Sequence, residues 1–319
     1  MRNGKSFKLS VPLLALFVFV SGCATPRSIT EVTPESQIGN FDVDYKVPPG
    51  LKYRVAIAKF EDKTGYGSNL FGVIDDLGKQ AADILASHLV KSGRVILVER
   101  QELEAVKAEN ALQQKEMPKS VVWSNALILG AVTEFGTKTD YQRSAFETKK
   151  MQTAEAKVTI RMVDPETSVA FYSEFGHAAA TKEATQKLGY GGASDYDATL
   201  SDKALNGAIV KLVNNLLNTL INRPWEARIV DIQSDKVFIN AGERTGLKVG
   251  DKLDLVQPGK KVKNPTTNAT MQLPGKTVGL LEVESLFGTS DVDDGSVCKI
   301  VSGEKPTLEN IVRMHEVKP

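Results

Sequence analysis

The chain has 319 residues, Lys+Arg 40 against Asp+Glu 39, and an apolar fraction of 41%. So even a charge balance excludes a globally basic nucleic-acid binder and gives no reason to expect an acidic partner. The length allows one large or two ordinary domains, and the apolar fraction is enough for real cores.

Arg2, Lys5 and Lys8 form a basic head, and Leu9 to Val20 is an apolar run broken only by Ser10 and Pro12. The run is shorter than the roughly 20 residues a bilayer span needs. It leads into Val20-Ser21-Gly22-Cys23, which resembles the lipoprotein signals cut just before the cysteine. Residues 1–22 are therefore expected to be a signal peptide. Cys23 then becomes the first mature residue and carries acyl chains, palmitate among them, which together make a stable anchor. Ala24 follows, where an Asp would point to inner-membrane retention, so the outer membrane is favoured, with the protein on its periplasmic face. With Cys23 acylated, Cys298 stands alone and no disulfide framework can form. Its run, Ser296-Val297-Cys298-Lys299-Ile300, reads as a strand with a small buried hydrophobe in it.

Residues 23–50 are rich in Thr, Pro, Ser and Gly and read as a lipidated, extended tether. Tyr53 to Phe60 alternates like a strand, and a turn-rich loop from Asp62 to Gly72 follows. Asp76 to Val90 has Leu77, Ala81, Ile84, Leu85 and Leu89 at helical spacing, and Gly93 stops it. Val95 to Val98 is a short strand, Arg100 to Gln114 a polar helix and Ala126 to Phe135 a long apolar strand. Ala154, Ala156, Val158, Ile160 and Met162 alternate with polar residues. Asp164-Pro165-Glu166-Thr167 is a turn, and Val169 to Phe175 returns as the partner strand. Leu200 to Ile221 is the strongest helix, with Ser201 as the expected N-cap and a wide apolar stripe that must lie on a sheet. This order predicts an α/β domain over 51–222: a mixed sheet with packed helices.

After Trp225 short strands are expected at Ala227 to Ile232, Lys236 to Ile239, Lys252 to Val256, Thr277 to Val283 and Ser296 to Val301. Glycine turns punctuate them, predicting a small β-barrel or sandwich over 226–305, with 306–319 as a tail. In the Gly242–Gly250 motif, Gly246 and Gly250 are expected to supply positive φ while Leu247 and Val249 pack inward.

Little in the chain suggests catalysis. His88, His177 and His315 have no partner at metal-ligand spacing, and no P-loop or Gly-x-Ser-x-Gly is present. Gly189-Tyr190-Gly191-Gly192 lacks a P-loop lysine and reads as a flexible loop. Asp291, Asp293 and Asp294 read as a solvated turn rather than a calcium site. No enzyme, metal or cofactor is expected.

Several runs together resemble the CsgG/HfaB-like curli production assembly/transport lipoproteins. They are Arg54-Val55-Ala56-Ile57-Ala58-Lys59-Phe60-Glu61-Asp62-Lys63-Thr64-Gly65, Leu97-Val98-Glu99-Arg100-Gln101-Glu102-Leu103, Asn125 to Phe135, and Val158 to Asp164. The likeness covers roughly residues 50–222 and implies a three-layer, anticodon-binding-like α/β domain. Gly242 to Leu253 resembles the C-terminal domain of the flagellar assembly protein T family. In the curli channel each monomer of a ring donates two β-hairpins to a shared barrel and one loop to a constriction. By position the hairpins are 136–157 and 176–200, and the candidate constriction loop holds Tyr66, Asn69 and Phe71. The bland reading of that loop is a surface turn, with Phe71 covering the helix start.

Membrane physics tests the hairpins. Lys138, Asp140, Arg143, Glu147, Lys149 and Lys150 fall on both parities. Each charge facing lipid costs about 2–4 kcal/mol at the midplane. The expectation is therefore that either the segments stay in the periplasm as helices or loops or the protein uses the fold without a barrel. The expected function is an oligomeric scaffold or assembly component of an envelope secretion or appendage system. Its partners would be the membrane, copies of itself, and other envelope proteins or exported subunits, and nucleic acid would not be among them. An export channel with a shared barrel is the alternative.

Overall fold

The computed structural model describes residues 44–65, 77–99, 123–145, 147–187, 197, 199–263, 265–266, 270–291 and 293–315. The expected signal, Cys23, the helix at 100–114 and the Gly189–Gly192 loop lie outside the described residues.

Five strands form a mixed sheet in the order β2-β1-β3-β4-β5. They are β1 (Tyr53–Asp62), β2 (Val95–Glu99), β3 (Ala126–Arg143), β4 (Glu147–Val163) and β5 (Ala170–Lys187). β1 runs parallel to β2 and β3, and the remaining pairs are antiparallel. Among the described residues the helices α1 (Leu77–Lys91) and α2 (Thr199–Ile221) share one face, α1 over β1–β3 and α2 over β4 and β5. The alternation in β4 decides which face that is. Ala154, Ala156, Val158, Ile160 and Met162 are all buried, together with Leu205, Ile209, Leu212 and Leu216 of α2. Small residues on β4 and β5 let α2 approach closely. At Gly176 a Cβ would collide with the Ala208 carbonyl. No helix among the described residues is long and apolar enough to cross a membrane.

Two helix expectations need correction. α2 begins at Thr199, and its N-cap is Asp197 rather than Ser201. The Asp197 carboxylate accepts from the Thr199 N–H (3.0 Å) and hydroxyl (2.8 Å). A second contact, from Lys182 Nζ at 2.6 Å, ties the cap to β5. The Lys182 and Thr199 hydrogen bonds hold the Asp197 carboxyl down to about 2. The tether also stops being extended before residue 50. Asn214 of α2 bonds the backbone of Asp44 (3.4 Å) and Lys46 (3.2 Å). Tyr45 Oη bonds His88 Nδ1 (2.8 Å), whose Nε2 meets Asn206 Oδ1 (2.6 Å). Tyr45, Val47 and Leu51 pack on the core, so residues 44–52 form a strap across both helices.

The second part is a closed barrel, not a sandwich, in the order β11-β12-β7-β6-β13-β8. Its strands are β6 (Glu226–Gln233), β7 (Lys236–Ile239), β8 (Lys252–Gln257), β11 (Lys276–Phe287), β12 (Gly295–Gly303) and β13 (Ile311–Met314). β9 (Lys261–Lys263) and β10 (Thr270–Gln272) make a separate two-stranded flap that the sequence reading missed. The expected tail is also corrected: β13 closes the barrel between β6 and β8. After it, His315 bonds Asp254 at 2.7 Å.

Cys298 is fully buried in the barrel, and burial pushes its thiol up to about 11. In the native protein at pH 8 it should resist a thiol reagent and react only on unfolding. Rapid native labelling at Cys298 would mean that the barrel opens locally.

Candidate functional site

Three elements are candidates for a functional surface: a polar strand ribbon, a fixed joint between sheet and barrel, and a groove beside that joint. The expected constriction residues Tyr66, Asn69 and Phe71 lie outside the described residues, as does Cys23.

The ribbon is the continuation of β3, β4 and β5 beyond the helices. Where the structure describes them, the two segments are strands rather than the helices or loops expected for them, over 136–143 and 147–157 in β3 and β4 and over 176–187 in β5, while 199–200 already belong to α2. Backbone pairing runs unbroken through Thr137↔Ala154↔Ala180 and Thr139↔Gln152↔Lys182 to Tyr141↔Lys150↔Ala184. These residues share the face that the helices cover nearer the core. The opposite face carries Lys138, Thr153 and Thr181, then Asp140, Met151 and Glu183. Ion pairs lie along it: Lys138–Asp140 (2.8 Å) and Lys149–Glu183 (3.4 Å). Both faces are charged in the observed register, as the parity argument anticipated. β1 last pairs with β3 at Asp62↔Val132, so beyond that point β3 has no neighbour on its outer side among the described residues. β5 is the opposite edge of the sheet. From Gly136 to Arg143 the ribbon projects roughly 25 Å at 3.3 Å per residue.

The joint fixes the barrel to β1. Arg54 is only 5% exposed, and its guanidinium donates to the carbonyls of Asp291 (2.8 Å) and Asn240 (3.1 Å). Burial pushes its pKa down, opposed by the nearby Asp294 and Asp291 carboxylates. Lys52 N donates to Thr245 O (2.8 Å), and Trp225 Nε1 donates to Lys52 O (3.1 Å). Asn125 bridges further, accepting from Arg54 N (2.8 Å) and donating to Glu226 O (3.3 Å).

On the barrel side, Asp294 receives the Gly242–Gly250 motif. It is 3% exposed, so the expected solvated turn is wrong at this residue. Its two carboxylate oxygens accept from Gly242 N (2.9 Å), Arg244 N (3.0 Å), Thr245 N (3.0 Å) and Thr245 Oγ1 (2.7 Å). Asp293 caps Thr289 and Ser290 instead, and Asp291 faces Arg244 at 3.4 Å, so the three carboxylates serve different partners. Gly246 and Gly250 do have positive φ, 103° and 92°, and Leu247 is buried. Val249 is 62% exposed instead of packing inward, because the turn leaves it outside the barrel wall.

The groove has a volume of about 500 Å³ and lies between the Asp164–Thr167 turn and the flap. Its charges are matched: Arg223 meets Asp164 (2.6 Å), Arg228 meets Glu166, and Arg313 meets Glu226 (2.5 Å). Arg228 also sits over the Trp123 ring at 5.1 Å. Balanced pairs of this kind clamp elements together and leave no free charge to take a ligand. No group of three His, Cys, Asp or Glu among the described residues could hold a metal ion.

The model of the family described as curli production assembly/transport component CsgG matches residues 37–250. A protein of Neisseria meningitidis serogroup B, named as a candidate lipoprotein, is 31% identical over 227 residues, covering 70% of this chain and 98% of that protein. Among solved structures, the PelC dodecamer from Paraburkholderia phytofirmans aligns with a TM-score of 0.24 and 16% identity, over 53% of this chain and 93% of its own. Lipoprotein GNA1162 from Neisseria meningitidis aligns with a TM-score of 0.27 and 15% identity, over 54% and 99%. The family description and the name of the Neisseria relative are those of a transport or assembly component and a lipoprotein.

Proposed function

Because the chain belongs to the CsgG family, we propose that it is a lipoprotein of the bacterial envelope, anchored through Cys23 to the periplasmic face of the outer membrane. There it assembles with copies of itself and serves as a scaffold or assembly component of a secretion or appendage system. It has no catalytic role in this reading. The ribbon carries the argument. It is long and charged on both faces, which suits contact with other chains in water better than contact with lipid. The flank of β3 in one copy against β5 of the next would be a head-to-tail contact, the type that builds rings where the rotation between copies closes.

An export channel with a shared barrel is the second reading. What favours it is that residues 136–143, 147–157 and 176–187 are strands. Against it stand Lys138, Asp140 and Glu183 on one face and Lys150 and Lys182 on the other.

The deciding experiment is mass photometry with negative-stain imaging of the full acylated protein in mild detergent. A ring with no detergent belt beyond its lipid anchors is expected. A belt around a barrel would replace the scaffold by the channel, and a monomer at every concentration would remove self-assembly. The anchor is tested separately. Cys23→Ser should abolish acylation and release the protein from the outer-membrane fraction or leave it unprocessed. Wild-type fractionation and acylation of that variant would sink the anchor.

A further inference from the structure

We propose that the β9–β10 flap of the barrel is a docking surface for anionic phospholipid headgroups. Between Asp254 and Glu282 the sequence has no acidic residue and no arginine, but it has Lys260, Lys261, Lys263 and Lys276. All four are exposed. Among the described residues none of them forms an ion pair. Two lysines on the neighbouring barrel strands are neutralised: Lys236 by Glu284 (3.1 Å) and Lys299 by Glu282 (2.9 Å).

The backbone presents this charge outward. Lys261 pairs with Gln272 and Lys263 with Thr270, and Leu273 N donates to Lys260 O (3.0 Å) at the neck. A Cβ at Gly259 would collide with the Leu273 carbonyl, so the neck can cross this tightly only at glycine. Strand alternation sets Lys260, Val262 and Leu273 on one face and Lys261, Lys263 and Gln272 on the other. Val262 is 38% exposed and Leu273 46%.

Unpaired lysines around exposed aliphatic side chains suit an interface of anionic headgroups over acyl chains. An ammonium is a mobile point charge that needs no fixed partner geometry. An acidic protein surface would more naturally meet arginine forks, which are absent here.

Docking would orient the molecule. β4 is 17 residues long, roughly 55 Å at 3.3 Å per residue. It starts at the ribbon tip and ends at the turn whose Pro165 and Glu166 line the groove opposite Pro258 and Leu273 of the flap. A flap on the membrane therefore leaves the ribbon tip pointing into the aqueous space, where it can pair with other chains. The inference rests on the envelope location proposed above but not on acylation.

The test uses the full acylated protein carrying Gln272→Cys with an environment-sensitive dye. The buried Cys298 and the acylated Cys23 leave that thiol as the reactive one. The protein is bound to vesicles of phosphatidylcholine, with or without phosphatidylglycerol. A blue shift and quenching by spin-labelled lipid are expected only with phosphatidylglycerol, and high salt should reverse them. Adding K260Q/K261Q/K263Q/K276Q should cut the contacting fraction roughly tenfold or more, and four Lys→Arg changes should retain it. An unshifted dye in phosphatidylglycerol vesicles, or the same shift without the lysines, would overturn the proposal. So would a response to soluble poly-glutamate with none to vesicles, which would point to an acidic protein. Failure to associate with phosphatidylcholine vesicles at all would count against the Cys23 anchor and not against the flap.

Discussion

Asp294→Ala should destabilise the barrel by roughly 3–6 kcal/mol, because one buried carboxylate satisfies three backbone N–H groups and a hydroxyl. Each buried donor left without an acceptor costs about 1–3 kcal/mol, and the small cavity left by Ala can return water to only some of them. The loss should spread beyond the turn. Of the nearby carboxylates Asp294 most offsets the desolvation of Arg54, and Arg54 holds the Asp291 and Asn240 carbonyls across the joint. Asp294→Asn keeps the shape and one acceptor oxygen but turns an amide N–H₂ toward N–H donors, so it should fall between Ala and wild type. Urea unfolding of the full chain measures both. An Ala variant within about 1 kcal/mol of wild type would mean that water already serves these donors and that the clasp is not what holds the motif.

Leu212→Ala should cost about 2–5 kcal/mol. Leu212 is fully buried on α2, beside Ala208 and over Gly176 of β5, where helix and sheet approach so closely that no Cβ fits. Truncation there leaves a cavity that cannot collapse, since the α2 backbone already touches the strand. Thermal unfolding should fall by several degrees, at roughly 2–4 °C per kcal/mol for a domain of this size. Ile221→Ala, at the half-buried end of the helix, should cost clearly less. An unchanged melting temperature for Leu212→Ala would mean that α2 does not pack on β4 and β5.

Much of the fold was legible where burial is one-sided. The alternation from Ala154 to Met162 named the buried face of β4 residue by residue, and the stripe from Ala204 to Leu220 named the face of α2. Gly93, Gly246 and Gly250 were readable as turn glycines because their positive φ disfavours a Cβ. Other features were not legible, each for a separate reason. The outer part of the ribbon has no apolar alternation; backbone pairing with β4 makes β3 and β5 strands there, and composition does not record pairing. β13 is four residues long and becomes a strand only because β6 and β8 lie on either side of it. Asp294 looked like a solvated carboxylate because its polarity is visible in sequence while its burial is not.

The chain by itself determined the class of the molecule: a charge-balanced α/β sheet domain followed by a small β-domain. These follow from local physics, namely period, turn chemistry and the length of an apolar run. Tertiary structure alone decided that the β-domain is a closed barrel clasped to β1 through Arg54 and Asp294. It also decided that the polar segments of β3, β4 and β5 form a ribbon and that four lysines stand unpaired on and beside a flap. Those outcomes depend on which distant backbones and charges become neighbours, and single-chain periodicity carries no record of such long-range contacts.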